Sequence, residues 1–264
     1  MLSVALIAVA CGPGTTSATA APASRVGELD TIRARGTLIV AIRVEAPPPN
    51  RSAGDPAHQQ KRALETAVAM LIARQIIGPS AKVELRSTGG DRLIPLEAGD
   101  VDIAMTADTT AARGRALISV PYAAGAVVLA AKDGSPVRRI EDIRGQVVAV
   151  GQDELGARDT AQAFLEERRI AATLDNYMGV NGATNALDAA KASALIGDRT
   201  GVAVVAHERS LVVVAQIAAR PFAVATRKTA PELVSAINDA LRAALASGEI
   251  RDAAAKASFP YEAP

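Results

Sequence analysis

From Thr37 onward the chain switches repeatedly between two spacings of apolar residues. Thr37 to Ile42 (TLIVAI) is a short continuous apolar run, the pattern of a strand buried on both faces, while Ala63 to Ile77 (ALETAVAMLIARQII) spaces its apolar residues so that they gather on one side of a helix. Val83 to Arg86 predicts a second strand, Asp91 to Ala98 a helix, and Val101 to Met105 a third strand. That order predicts a parallel sheet with helices on both faces. The pattern resumes with strands at Val127 to Ala131, Val147 to Val150 and Ser193 to Ile196, separated by helices at Asp159 to Arg169 and Ala183 to Ala190. Near the end, Pro231 to Ala246 and Glu249 to Ala257 predict two alanine-rich helices. Tyr122 to Val127 and Arg220 to Thr226 lack strong turn signals, so both are expected to cross between two hinged α/β lobes, with a cleft between them.

The segment before this pattern has a different character. A nine-residue run, Leu2 to Ala10, is mostly apolar and precedes Cys11; Gly, Pro, Ser, Thr and Ala fill Gly12 to Ser24. The run is too short to span a bilayer core, which needs about 20 helical residues. The order resembles a bacterial lipoprotein leader, in which small residues before a cysteine admit the processing peptidase and the cysteine receives the lipid. Two features depart from that pattern: no Lys or Arg precedes the run, and Ala8 stands where a larger aliphatic is usual. The alternative is an apolar N-terminus on a cytosolic protein. The expected organisation is a signal peptide and tether over 1–24, a first lobe over 25–124, a second over 125–219, and a return hinge with C-terminal helices over 220–264 that pack on the first.

Composition narrows the function. With 264 residues, a net charge of +1 and 22% charged residues, the chain shows no basic excess for nucleic acid. Six aromatic side chains leave few candidates for ring stacking, and a single cysteine rules out an intrachain disulfide framework. No H-E-x-x-H, G-x-S-x-G or phosphate-binding glycine loop occurs, and His58 and His207 stand in polar contexts expected of surface loops. Neither a metal nor another cofactor is expected.

Six phrases in order then carry a family resemblance: "LDTIRARGTLIVAIRVEAPP" at 29–48, "RLIPLEAGDVDIAM" at 92–105, "TTAARGRALISVPY" at 109–122, "IEDIRGQVVAVGQ" at 140–152, "ALIGDRT" at 194–200 and "FAVATRKTAPELVSAINDALRAALASGEI" at 222–250. Together they resemble the bacterial extracellular solute-binding proteins of the polar amino-acid uptake type. The resemblance implies a two-lobed α/β fold of the periplasmic-binding-protein type II class, each lobe a mixed or parallel sheet flanked by helices. It implies a monomer that closes on a small ligand, delivers it to an ABC permease, and is held at the membrane by lipid on Cys11.

The resemblance also implies site residues. Arg113 stands where the family's arginine forks onto a ligand α-carboxylate, a match of two parallel donors to two oxygens that lysine lacks; Thr110 accompanies it. Arg115, two residues on, is expected in solvent. Asp198, at the end of a second-lobe strand, resembles the aspartate that accepts the ligand's ammonium group, although an aspartate there is also a common cap. In the lengthened turn "GQDELGARDTAQAFL", Arg158 and Thr160 fall near the ligand's place, and Asp159 with Gln162 fits a capping box.

Several positions depart from the family. Pro49 and Asn50 stand where an aromatic usually packs on the ligand, and Asp108 replaces a small hydroxyl residue five positions before Arg113. Glu45 is placed to face the cleft. Four acidic candidates, Glu45, Asp108, Asp159 and Asp198, point to a cationic ligand. The fold class also carries cyclohexadienyl dehydratases, with Glu45 or Glu154 as the acid, and a lipoprotein sensor without transport needs the same closing lobes.

Overall fold

The computed structural model describes residues 27–43, 56–88, 91–152 and 156–264. Cys11, Glu45 and Glu154 lie outside them. The first half comprises α1 (Glu28–Arg35), β1 (Thr37–Arg43), α2 (Pro56–Ile76), β2 (Lys82–Thr88), α3 (Leu93–Ala98), β3 (Ile103–Ala107), α4 (Thr110–Arg115) and β4 (Leu117–Ile118). The second comprises β5 (Ala126–Lys132), β6 (Val147–Gln152), α5 (Ala157–Glu167), β7 (Thr173–Met178), α6 (Gly179–Asp188), β8 (Ala194–Asp198), α7 (Arg199–Arg209) and β9 (Leu211–Ala219). The chain then returns through β10 (Phe222–Thr226), α8 (Pro231–Ser247) and α9 (Glu249–Lys256).

Two five-stranded sheets result, ordered β2-β1-β3-β10-β4 and β7-β6-β8-β5-β9. Their inner strands are continuous apolar runs because helices cover both faces: Leu38, Val40, Ala41 and Ile42 in β1 are shut off from solvent. At the edge, β2 alternates instead, with Val83 and Leu85 turned inward and Lys82, Glu84 and Arg86 outward. The stripe of α2 that packs on the first sheet is Leu64, Val68, Ala69, Ile72, Ala73 and Ile76, at the spacing of one helical face. α8 begins with Pro231 in its first turn, where the missing N–H is no loss, and ends at Gly248, whose φ of 83° suits a residue without Cβ.

Both sheets are mixed rather than wholly parallel. β1 runs parallel to β2 and β3, but β10 runs antiparallel to β3 and β4, and β5 antiparallel to β8 and β9. The reason is the connection: a strand arriving from the other lobe need not follow the helix crossover that makes neighbours parallel. The two crossing segments bond to each other, Tyr122 N–H to Phe222 O (2.9 Å), Phe222 N–H to Ala123 O (2.9 Å) and Arg220 N–H to Gly125 O (2.7 Å). Gly125 permits this approach, since a Cβ there would lie 2.2 Å from the Arg220 carbonyl oxygen.

Some elements differ from the sequence reading. α2 begins at Pro56, seven residues before the expected start, and α6 begins at Gly179 rather than Ala183. β3 starts at Ile103 rather than Val101, because the Asp102 carboxylate turns back to accept the Ile39 N–H at 2.7 Å. The expected capping box at Asp159 is not made: α5 starts one turn earlier behind Gly156, Asp159 is exposed, and Gln162 donates instead to Glu166 at 2.5 Å.

Candidate functional site

The C-terminal ends of β6 and β8 and the starts of α6 and α7 meet at closely packed glycines. A Cβ on Gly151 would lie 2.9 Å from the Gly179 backbone, and one on Gly197 or Gly201 would press on Val180 at 2.8 or 2.9 Å. This packing brings the last residue of β8, Asp198, to the head of α7. As N-cap, its Oδ2 accepts the Gly201 N–H at 3.1 Å. Its other oxygen, Oδ1, is shut off from water and has no hydrogen-bond partner among the described residues. Burial pushes the Asp198 carboxyl up to about 6, against the pull of the Gly201 and Thr200 N–H groups and the charge of His58. A buried acceptor held in this way is poised to receive a cationic donor.

From the first lobe, α2 packs directly against α7. Its first turns carry His58 and Lys61, neither in the surface loop expected for His58. His58 is near enough to Asp198 and to Glu65 for its charge to favour both carboxylates. Lys61 places its Nζ 4.6 Å from the centre of the Phe222 ring and 4.0 Å from Glu65 Oε1. Below it, the buried pair Glu65 and Arg92 closes at 3.0 Å, and Arg92 also donates to the Met105 carbonyl, tying α2 to β3. Burial pushes Glu65 up, and Arg92 is the largest influence opposing it.

Arg113 lies in α4, whose N-cap is Thr109, the hydroxyl accepting the Ala112 N–H at 3.0 Å. Its guanidinium is forked onto Asp108, Nε to Oδ1 at 2.6 Å and Nη2 to Oδ2 at 2.5 Å. The Arg113 side chain is 61% exposed, whereas that of Asp108 is 13% exposed, so the arginine closes over its partner from the solvent side. Thr110 is exposed. Arg115 is partly exposed and ion-paired at the surface: it joins Glu97, at 2.6 and 2.7 Å, and Asp91. These bonds raise Arg115 further above its usual range and hold Asp91 and Glu97 below theirs. In the second lobe, Arg158 donates to the Leu174 carbonyl (2.9 Å) and Asn176 Oδ1 (3.0 Å), fastening α5 to β7. The Thr160 hydroxyl accepts from Arg220 of the crossing segment at 3.0 Å.

The structure therefore links Asp198 to His58 across the α2–α7 contact, links Glu65 of α2 to His58, Lys61 and Arg92, and forks Arg113 onto Asp108. Sequence reasoning missed His58, Lys61, Glu65 and Arg92. A signal was present, since Lys61 and Glu65 continue at helical spacing into the apolar face of Val68 and Ile72, where polar residues need partners. Among the described residues no group of three His, Cys, Asp or Glu side chains could hold a metal ion, and no helix is long and apolar enough to cross a membrane.

Two mixed α/β sheets joined by two crossing segments have the two-lobed architecture of the periplasmic-binding type II class. The model of the bacterial extracellular solute-binding proteins, family 3, matches residues 38–258, and the chain belongs to that family. Among solved structures it is similar to an amino acid ABC transporter substrate-binding protein from Streptococcus pneumoniae bound to L-arginine, at 18% identity and a TM-score of 0.65, over 89% of this chain and 100% of that one. It is also similar to a mutant of the T. maritima protein ArgBP, at 22% identity and a TM-score of 0.62, over 87% and 98%. A third similar structure is an ancestral amino acid-binding protein, a precursor of cyclohexadienyl dehydratase, at 23% identity and a TM-score of 0.64, over 87% and 98%.

Proposed function

We propose that the chain is the extracytoplasmic binding component of an ABC importer, capturing a small amino acid-like ligand between its lobes and carried at the membrane by lipid on Cys11. The observation that carries this reading is the buried, unpaired Oδ1 of Asp198. A ligand ammonium supplies the donor that this oxygen lacks, and ionising Asp198 becomes favourable once the cation is beside it. The two lobes close because contacts from both exist together only in the shut form.

The ligand carboxylate is assigned to Arg113. In the described arrangement Asp108 occupies the guanidinium fork, so Asp108 acts as an internal stand-in that the ligand displaces. The acidic-cleft expectation weakens accordingly: Arg113 neutralises Asp108, Asp159 faces solvent, and the Lys61 ammonium stands 4.0 Å from Glu65. A zwitterion with a neutral side chain suits this balance better than a strongly cationic ligand. Differential scanning fluorimetry over the common amino acids tests the reading, since a ligand that binds only the folded state raises the melting temperature. Stabilisation of wild type but not of Asp198→Ala supports it; equal shifts in both would overturn the role of Asp198.

A further inference from the structure

We propose that the C-terminal residues 259–262 form a latch that holds α7 of the second lobe against the first lobe. The latch begins where α9 ends. Ser258 takes a left-handed conformation, φ 53°, and the Phe259 N–H closes the helix on the Ala254 carbonyl at 2.9 Å, turning the chain back toward the crossing strands. Phe259 is buried edge-on to Phe222, with ring centres 6.1 Å apart, and the Tyr261 hydroxyl donates to the Tyr122 carbonyl at 3.3 Å. The Glu262 carbonyl then accepts the Ala124 N–H at 2.9 Å. Residues 259–262 are thus fixed to both crossing segments.

From this fixed backbone the Glu262 carboxylate reaches the second lobe. Both its oxygens meet Nη1 of Arg199, at 2.8 and 3.1 Å, while Nη2 of the same guanidinium donates to Gln216 Oε1 of β9 at 2.6 Å. Arg199 is the first residue of α7, where the helix dipole disfavours a cation. Glu262 offsets that charge, and Arg199 directly follows Asp198 in sequence. Phe259 against Phe222 and the Tyr261 hydroxyl on the Tyr122 carbonyl tie 259–262 to the crossing segments, so a swing of α7 away from α2 is expected to stretch the Arg199–Glu262 pair. The latch needs no bound ligand. It deepens the closing reading above, because it biases the same lobe motion.

Glu262→Ala in the full chain, without added ligand, tests the latch by hydrogen exchange and solution scattering. A partly exposed ion pair contributes little, so loss of Glu262 is expected to raise exchange across 199–209 by about two- to fivefold and to increase the radius of gyration. Glu249→Ala, an exposed acidic change in the first turn of α9, is the control and is expected to leave both unchanged. Raising salt in wild type is expected to reproduce part of the Glu262→Ala effect. Unchanged exchange and radius in Glu262→Ala, or equal changes in Glu249→Ala, would overturn the latch. Because no ligand enters the experiment, its failure leaves the amino acid reading standing, and failure of the fluorimetric screen leaves the latch standing.

Discussion

Replacing Asp198 with asparagine is expected to stabilise the protein while removing its ligand. The Asp198 carboxyl is raised to about 6 by burial, against an ordinary value of 3.8. A difference of about 2 units at 1.36 kcal/mol each makes the ionised form cost about 3 kcal/mol in the folded state. Because the folded value is the higher one, this cost is absent below pH 4, grows between pH 4 and 6, and is constant above. Asparagine keeps an acceptor for the Gly201 N–H and carries no charge to bury. The expected gain is therefore about 3 kcal/mol at pH 8, or about 6–12 °C in Tm for a chain of this size, shrinking toward nothing at pH 4. Thermal unfolding of wild type and Asp198→Asn across pH 4–8 measures it. A gain of the same size at every pH, or none at pH 8, would refute the burial argument.

Other perturbations separate the remaining parts. Asp108→Thr frees the Arg113 fork and is expected to tighten amino acid binding severalfold by calorimetry; weaker binding would show that Asp108 itself holds the ligand. Arg92→Met removes the closest partner of buried Glu65, leaving Lys61 at 4.0 Å, and is expected to lower stability by about 2–4 kcal/mol in denaturant unfolding, whereas the double replacement Glu65→Leu with Arg92→Met should recover most of it. Gly125→Ala drives a Cβ into the Arg220 carbonyl oxygen and is expected to cost about 1–3 kcal/mol, with faster exchange confined to the two crossing segments. Cys11→Ser is expected to abolish fatty-acid labelling and release the protein from the membrane fraction.

Where burial is strong on both faces, the sequence pattern and the structure agree. β1, β5, β6 and β8 are read from continuous apolar runs, and α2 and α8 from helical stripes, because the core that selects those residues is the core that orders them. The edge strands β7 and β9 escaped, unlike β2, whose alternation was read. β7 turns only Leu174 and Tyr177 toward the core and carries Asp175 and Asn176 between them, so it lacks a strand-like run. β9 follows α7 with a single residue between, and its exposed Val212 and Val213 gave no alternation. The position of Asp198, between a strand end and a helix start, was legible because both are set locally. The site was not legible at His58 and Glu65, whose partners lie far away in the chain and depend on how α2 meets the second lobe and β3. The fork of Arg113 onto Asp108, five residues apart, needed only the α4 turn.

The most direct measurement is calorimetric titration of wild type and Asp198→Ala with each common amino acid and with the α-N-acetyl derivative of the best one. The account predicts that at least one amino acid binds wild type one-to-one, that its N-acetyl derivative does not, and that Asp198→Ala loses about 2–5 kcal/mol of that affinity because the ligand's ammonium loses its buried partner. Equal binding of the acetylated and free ligands, or of wild type and Asp198→Ala, would contradict it.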